Sequence, residues 1–195
     1  MERKIITNEV NFVGTVVTKY TTGGATILYI NTGQNSDKFN YPRAVAFGNA
    51  KIYADRIEVG DIVTISGNLQ SNSRDSGSQY PRTISVSHIG KIEGEFTPKN
   101  RFTLYGRINN IRKVNPELAV GTVTVWTRVK NRIKVVYRGT PDDVDRFCSL
   151  RAQSFIRFGG YIETDEEVDT DYSDRVIVTN YRFVPPVYTN SSNEK

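Results

Sequence analysis

The sequence is poor in the residues on which most catalytic and metal sites depend. Its 195 residues include one histidine, one cysteine, one methionine and one tryptophan. Because His88 and Cys148 have no second residue of their kind, catalytic triads and zinc sites are not expected. A single cysteine also excludes an internal disulfide, which is typical of proteins from reducing compartments.

Signals for other enzyme classes and for membranes are missing as well. Gly23 and Gly24 are not followed by the Lys-Ser or Lys-Thr of a phosphate-binding loop. Three aspartates within 142–145 fall in the first turn of a predicted helix, where the helix dipole accounts for them without a metal ion. No segment approaches the ~20 apolar residues of a membrane span, and the N-terminal segment has no apolar signal sequence. We therefore expect a cytoplasmic protein that is not an enzyme and holds no cofactor or metal.

Positive charge is in excess and unevenly distributed. The 26 Lys and Arg residues exceed the 21 Asp and Glu residues, which gives a net charge of +5. Seven of the acids lie within residues 163–174 with no base among them, so the remaining residues carry a net charge of +12. A body this basic is suited to a polyanionic partner.

Short runs rich in Val, Ile, Thr and aromatic residues, separated by Gly, Asn and Ser clusters, predict a mainly β protein. In the first half we expect strands at about 10–19, 25–32, 42–48, 61–69 and 82–89. In the second half we expect strands at about 101–112, 121–129, 132–138, 154–163 and 174–184. One helix is predicted in each half, at about 49–58 between Asn49 as N-cap and Gly60, and at about 141–150 after Thr140 as N-cap.

Both halves therefore repeat three strands, one helix and two strands. Glycines recur at matching places, since Gly14 and Gly67 are 53 residues apart and Gly106 and Gly160 are 54 apart. Five short strands with a helix between the third and fourth is the layout of the OB-fold, a small Greek-key barrel. We predict an all-β chain of two tandem OB-folds at residues 1–92 and 101–186, a linker at 93–100 and a flexible tail at 187–195.

Alternation along the strands predicts which aromatic side chains face outwards. Tyr29 and Trp126 each lie opposite an aliphatic face of the second strand of their half, so we align them with each other and expect both to be exposed. On the third strand we align Phe47 with Tyr137, and for this pair both core and surface positions remain open. The second and third strands form the face on which OB-folds bind nucleic acid.

Cations and polar loops surround these aromatics. The loops at 34–40 and 70–79 are polar, and residues 128–134 form a basic hairpin. A binder of single strands without sequence preference needs flat faces for bases and cations for phosphates. We predict single-stranded DNA as the partner, bound by Tyr29, Phe39, Tyr41, Arg43, Phe47, Arg74, Tyr80, Arg82, Arg112, Trp126, Arg128, Lys130, Arg132, Lys134 and Tyr137.

The segments 41–50 and 60–69 resemble the third strand, helix and fourth strand of the bacterial and phage single-stranded DNA-binding protein family. In that family an aromatic precedes a Phe-Gly pair by about six positions, as Tyr41 precedes Phe47 and Gly48 here. The resemblance implies that Tyr41 and Phe47 stack on bases and that Arg43 is a nearby cation. It covers about residues 10–90 and is weaker in the second half.

The sequence departs from the family pattern in two ways. The family usually carries one barrel per chain and assembles four, so a tandem pair implies a monomer or homodimer. The family's acidic tail with a Pro-Phe tip is replaced here by residues 189–195, which lack it. A phage or mobile-element origin is consistent with both departures. The implied role is coating and protecting single-stranded DNA in replication, recombination or repair, in a bacterial cell or phage-infected host, with replication or recombination proteins as further partners.

Other functions remain open at this point. OB barrels also serve as protein-interaction or virion structural modules without DNA affinity, because a fold does not determine a function. An RNA-binding OB protein is a third reading, since stacking faces accept either sugar. Salt-dependent gel shifts with single-stranded DNA, duplex DNA and RNA distinguish these classes.

The acidic segment generates a prediction of its own. Its carboxylates repel phosphates at close range, so we expect that it does not wrap DNA as the 70–79 loop can. Replacing residues 164–173 with a short Gly-Ser linker should leave single-strand affinity unchanged if the segment is a solvated connection. It should tighten single-strand binding, and duplex binding proportionally more, if the segment competes for basic surface. Weaker single-strand binding would contradict both readings.

Overall fold

The computed structural model describes residues 8–33, 40–71, 82–126, 130–164 and 174–184. The first half contains β1 (Asn8–Thr21), β2 (Ala25–Asn31), β3 (Arg43–Phe47), α1 (Gly48–Ala54), β4 (Ile62–Ser71) and β5 (Arg82–Lys91). The second half contains β6 (Lys99–Asn115), β7 (Leu118–Trp126), β8 (Lys130–Arg138), α2 (Pro141–Cys148), β9 (Phe155–Thr164) and β10 (Asp174–Phe183). The predicted order of strands and helices is confirmed.

Each set of five strands closes on itself. The pairs β1–β2, β2–β3, β3–β5, β5–β4 and β4–β1 complete a ring in the first half, and β6–β7, β7–β8, β8–β10, β10–β9 and β9–β6 do so in the second. The β3–β5 and β8–β10 pairs are parallel, whereas the other pairs are antiparallel. This is the mainly β, OB-type barrel architecture predicted from the alternation of elements.

Alternating side chains fill the two barrels. Every second residue is buried along β4, along the first part of β1 and β6, and along most of β9. The largest fully buried side chains include Phe12, Leu28 and Ile65 in the first half and Phe147, Phe158 and Ile133 in the second. Burial of one face is what the period-two hydrophobic pattern produces, and it leaves the outward face of each strand available for function.

The glycine repeat has a steric cause. Gly14 and Gly106 lie at equivalent places, and a Cβ on either would collide with a backbone carbonyl of the next strand, that of Asn31 or Thr124. Glycine therefore permits the close strand approach that the sharply bent barrel requires. The pairing register of the first and fourth strands is the same in both barrels, because Gly14 pairs with Val63 as Gly106 pairs with Ile156.

The two helices differ in how closely they match expectation. Helix α2 begins as predicted, with the Thr140 hydroxyl oxygen accepting a hydrogen bond from the Asp143 amide. The predicted N-cap of α1 is wrong, because the helix begins at Gly48, and Phe47 occupies the cap position without a side-chain bond. Helix α1 also ends at Ala54, before the expected residue 58. Lys19 Nζ donates at 2.7 Å to the carbonyls of both Asp55 and Ile57, which holds the chain in a non-helical turn.

The barrels are joined through their first strands. Strand β1 pairs antiparallel with β6, and the pairing is symmetric about Val10 and Phe102, with Asn8 opposite Leu104 and Phe12 opposite Asn100. Residues 92 positions apart exchange places across this centre, so the seam has approximate two-fold symmetry. Since β6 begins at Lys99, the last residues of the predicted linker belong to a strand.

Buried asparagines reinforce the seam. Asn100 donates through Nδ2 to the Ile162 carbonyl at 2.7 Å and accepts through Oδ1 from the Ile162 amide at 2.9 Å. Asn8 makes the equivalent pair of bonds to Leu69, at 2.6 and 2.8 Å. Asn8 thus bonds both backbone groups of Leu69, and Asn100 supplies the acceptor for the Ile162 amide and one of the donors to the Ile162 carbonyl.

A second asparagine pair crosses between the barrels. Asn40 of the first barrel donates to the Ile162 carbonyl at 2.8 Å and accepts from the Thr164 amide at 2.8 Å. Asn131 of the second barrel accepts from the Ser71 amide at 3.0 Å. These bonds hold the end of β9 against the residues just before β3, and the end of β4 against the start of β8, again with approximate two-fold symmetry.

We predict that Asn100→Leu destabilises the chain by about 1–3 kcal/mol, because it leaves the Ile162 amide buried without its acceptor, whereas the Ile162 carbonyl keeps the bond from Asn40. Urea unfolding followed by circular dichroism measures the change. Asn110→Leu on the same strand is the control, since Asn110 is exposed. Equal midpoints for the two variants would contradict the assigned role of Asn100.

Candidate nucleic-acid interface

The first barrel carries a cluster of three tyrosines on its outer face. Tyr20, Tyr29 and Tyr41 line one pocket of about 270 Å³ together with Val17 and Thr18. The rings of Tyr20 and Tyr29 meet edge to face, with centroids 6.2 Å apart. Tyr20 is 57% exposed, whereas Tyr29 and Tyr41 are half-buried. The cluster offers ring faces and edges to a flat ligand.

Cationic and aromatic groups flank this tyrosine cluster. Arg43 lies directly opposite Tyr29 across the β2–β3 pair. Phe47, at the end of β3, is 50% exposed, so it lies on the surface rather than in the core. Sequence reasoning missed Tyr20 because it lies on β1. The pairing of Tyr20 with Ile27, two residues from Tyr29, is what brings it into the cluster.

The second barrel presents a ladder of aromatic rings. Trp126 is 39% exposed, which confirms its predicted exposure. Its ring lies 6.0 Å from that of Phe155 at an interplanar angle of 30°, and Phe155 lies 5.7 Å from Tyr105 at 31°. We call Trp126, Phe155 and Tyr105 the aromatic ladder. Its members come from β7, β9 and β6, so only Trp126 was found by examining the second and third strands.

A cation is held against the ladder. The Arg107 guanidinium carbon lies 5.3 Å from the centre of the Trp126 ring, within the range of a cation–π interaction. Within the described segments, Arg107 Nε is a buried nitrogen with no hydrogen-bond acceptor. The Arg107 guanidinium thus places a positive charge beside the exposed tryptophan.

The predicted alignment of Tyr29 with Trp126 is wrong in register. Tyr29 pairs with Thr18 just beyond the bulge in β1, and the equivalent pair in the second barrel is Thr122 with Asn110. Trp126 therefore lies four residues beyond the true counterpart of Tyr29. An even shift keeps both residues on the outer face, so the predicted face is right although the alignment is not.

The predicted alignment of Phe47 with Tyr137 is wrong by one residue. Phe47 pairs with Ala25 as Arg138 pairs with Leu118, so Arg138 is the counterpart of Phe47. A shift of one residue reverses the face, and Tyr137 accordingly packs inwards. Its ring stacks on Phe147 of α2 at 4.5 Å and 7°, and burial raises the pKa of its hydroxyl. Tyr137 belongs to the packing of α2 rather than to the exposed face.

The basic hairpin forms as expected where it is described. Lys130, Arg132 and Lys134 are exposed on β8 and alternate with buried Asn131 and Ile133. Lys130 pairs with Trp126, so the cations begin beside the aromatic ladder. Arg112 is also exposed, further along β6 opposite Val120.

Several predicted residues lie outside the described part of the chain. These are Phe39, Arg74, Tyr80, Arg128 and the side chain of Arg82. Most of the acidic segment lies outside as well, but both of its ends are described. Thr164 at its start accepts a hydrogen bond from the Tyr41 amide at 3.1 Å, so the segment is attached beside the tyrosine cluster of the first barrel. A replacement that tests the segment should therefore begin at residue 165.

No alternative catalytic site emerges from the described residues. They contain no group of three His, Cys, Asp or Glu side chains arranged to hold a metal ion. His88 is exposed, and burial raises the pKa of the Cys148 thiol, which disfavours the nucleophilic thiolate. Neither helix in the described segments is long and apolar enough to cross a membrane.

Solved structures with the same architecture are known. A deletion mutant of the single-stranded DNA binding protein from Thermus aquaticus matches with a TM-score of 0.69 at 18% identity, over 94% of this chain and 97% of that one. The wild-type Thermus aquaticus protein matches with a TM-score of 0.66 at 19% identity, over 92% and 93%. No protein-family model and no curated protein sequence matches the chain. The likeness extends over both barrels and shows a shared fold.

Proposed function

We propose that this protein binds single-stranded DNA with little sequence preference, through base stacking and contacts between cations and phosphates. The aromatic ladder carries the proposal. The chain's one tryptophan is exposed on the barrel surface, beside Arg107 and at the start of a row of cations on β8. Every base has a π-face, so such a surface accepts any sequence.

The two outer faces suit a flexible single strand better than a duplex. The tyrosine cluster and the aromatic ladder present rings, and rings stack best on bases that are not already paired and stacked within a duplex. We therefore expect oligo(dT) to bind more tightly than a duplex of equal length.

The biological role follows from this mode of binding. A binder without sequence preference is suited to coating and protecting strands exposed in replication, recombination or repair, rather than to catalysis. The shared fold with a protein described as single-stranded DNA binding supports the proposal. We place the protein in the cytoplasm of a bacterial cell or phage-infected host, as a monomer or homodimer that works with replication or recombination proteins.

Salt dependence tests the electrostatic part. Each phosphate neutralised on a single strand contributes about −0.7 to the slope of log K against log salt. We expect a steep negative slope for oligo(dT), measured by fluorescence anisotropy between low and physiological salt. A slope near zero, or equal affinity for duplex and single strand, would overturn it. An RNA oligonucleotide of matched length tests whether the sugar matters.

Stacking is tested by Trp126→Ala. We expect it to weaken oligo(dT) binding by roughly 1–3 kcal/mol, the usual contribution of one stacked base. In the unmodified protein, Trp126 fluorescence should be quenched when DNA binds. Tyr53→Ala is the matched control, because Tyr53 is 59% exposed on α1 and lies in neither aromatic cluster. If both variants bind equally well and no quenching occurs, Trp126 does not stack on DNA.

A further inference from the structure

The second barrel carries a basic groove on strands other than β7 and β8, on which the sequence predicts the DNA-binding face. The groove is open, has a volume of about 870 Å³, and extends over β6, β9 and β10. Thr103, Gly159 and Asn180 form its floor, since Thr103 pairs with Gly159 and Gly159 pairs with Asn180 across the three strands. The exposed cations that line it are Arg101, Arg157 and Arg182. We call this surface the arginine groove.

The arginine groove concentrates charge without neutralising it. Arg157 and Arg182 lie directly opposite each other on β9 and β10, an arrangement that is destabilising for like charges. No lining residue of the groove is acidic, and none of the three arginines forms an ion pair with a carboxylate in the described segments. Glu9 on β1, opposite Thr103, accepts a hydrogen bond from the Asn11 side chain instead.

The first barrel shows that the framework does not need these arginines. Glu9 occupies the position equivalent to Arg101, next to the centre of the two-fold seam. Thr64 pairs with Gly90 where Arg157 pairs with Arg182. The same barrel is therefore built with an acid, a hydroxyl and a glycine at the three positions. The arginines are a feature of the second barrel's surface rather than a requirement of its fold.

The arginine groove is continuous with the aromatic ladder. Tyr105, the last ring of the ladder, pairs with Arg157, which pairs in turn with Arg182. At the other end of the ladder, Trp126 pairs with Lys130. Aromatic and basic side chains thus extend across five neighbouring strands, β8, β7, β6, β9 and β10. At an interstrand spacing of about 4.8 Å this path is about 19 Å long.

We propose that the arginine groove is a second contact surface for the same strand, so that single-stranded DNA stacked on Trp126 continues over Tyr105 and places phosphates between Arg157 and Arg182. This inference rests on the proposed function. A polyanion between the two guanidinium groups replaces their repulsion with attraction, and arginine binds phosphate through two parallel hydrogen bonds. The open volume of about 870 Å³ leaves room for the backbone to enter, and the Asn180 side-chain amide lies over Gly159 on the floor of the groove.

The test compares two double variants that lose the same charge. Arg157→Gln with Arg182→Gln removes two cations from the groove. Arg56→Gln with Arg151→Gln removes two exposed cations from the turn after α1 and the connection after α2. The probe is oligo(dT) of about 32 nucleotides, since one OB-fold covers up to about 16. Affinity is measured against salt, and Trp126 fluorescence reports stacking.

We expect the groove variant to lose about 1.4 from the magnitude of its salt slope, which is two phosphate contacts at about 0.7 each. The control variant should lose much less, and both should retain Trp126 quenching at saturating DNA. If the unmodified protein binds oligo(dT) but all three proteins have the same salt slope, the groove inference is overturned and the proposed function stands. The same holds if the salt slopes of both variants fall by equal amounts.

Two further outcomes separate the alternatives. If the unmodified protein itself fails to bind oligo(dT), the proposed function fails and this inference fails with it. Sedimentation of the proteins without DNA tests the remaining alternative, in which a second copy of the chain occupies the groove. A dimer that becomes monomeric only in the groove variant would show that the groove is a protein interface, and would overturn its assignment to DNA.

Discussion

The antiparallel pairing of β1 with β6 is the interaction on which the arrangement of the whole chain depends. It turns two closed barrels into one hydrogen-bonded sheet and sets their relative orientation by backbone geometry. Buried Asn8 and Asn100 support it by bonding the backbone of β4 and β9, while Asn40 and Asn131 tie each barrel to the other. Polar groups buried this deeply are tolerated only when fully bonded, so these contacts favour one relative position of the barrels over others.

Because of the two-fold seam, the two barrels can be compared residue by residue. The comparison distinguishes positions that the fold requires from surface positions that vary. Some positions that pair at the seam or bend the strands hold the same residue in both, such as Asn8 with Asn100 and Gly14 with Gly106. Outward positions differ. The first barrel has Tyr29 where the second has Thr122, and Tyr20 where the second has Arg112. The second barrel has a tryptophan, a phenylalanine and paired arginines of its own. Each barrel thus offers rings and cations in a different layout on the same framework.

Much of the fold could be predicted because its causes are local. Hydrophobic alternation located the strands within a few residues, and the recurring glycines revealed the repeat before any pairing was known. The site was less predictable, because it depends on register and on which strands are neighbours. One residue of register error aligned Tyr137 with Phe47 and kept it among the predicted DNA contacts, although it packs on Phe147. Phe155, Tyr105 and Arg107 were missed because they join Trp126 only through the order β7, β6, β9.

The distribution of ion pairs gives the charge pattern a physical meaning. Among the described residues, Lys51, Lys91, Lys113 and Arg146 are paired with carboxylates of α1 or α2 or the turns beside them. Arg138, which ends β8 just before α2, is paired with Glu163 of β9. Arg107, Lys130 and the cations of the arginine groove form no such pair within the described segments, and they follow the aromatic ladder from β8 to β10. A carboxylate close to a cation competes with phosphate for it. The cations near the helices form ion pairs, whereas those beside the aromatic rings do not. Positive charge is therefore available where single-stranded DNA would stack.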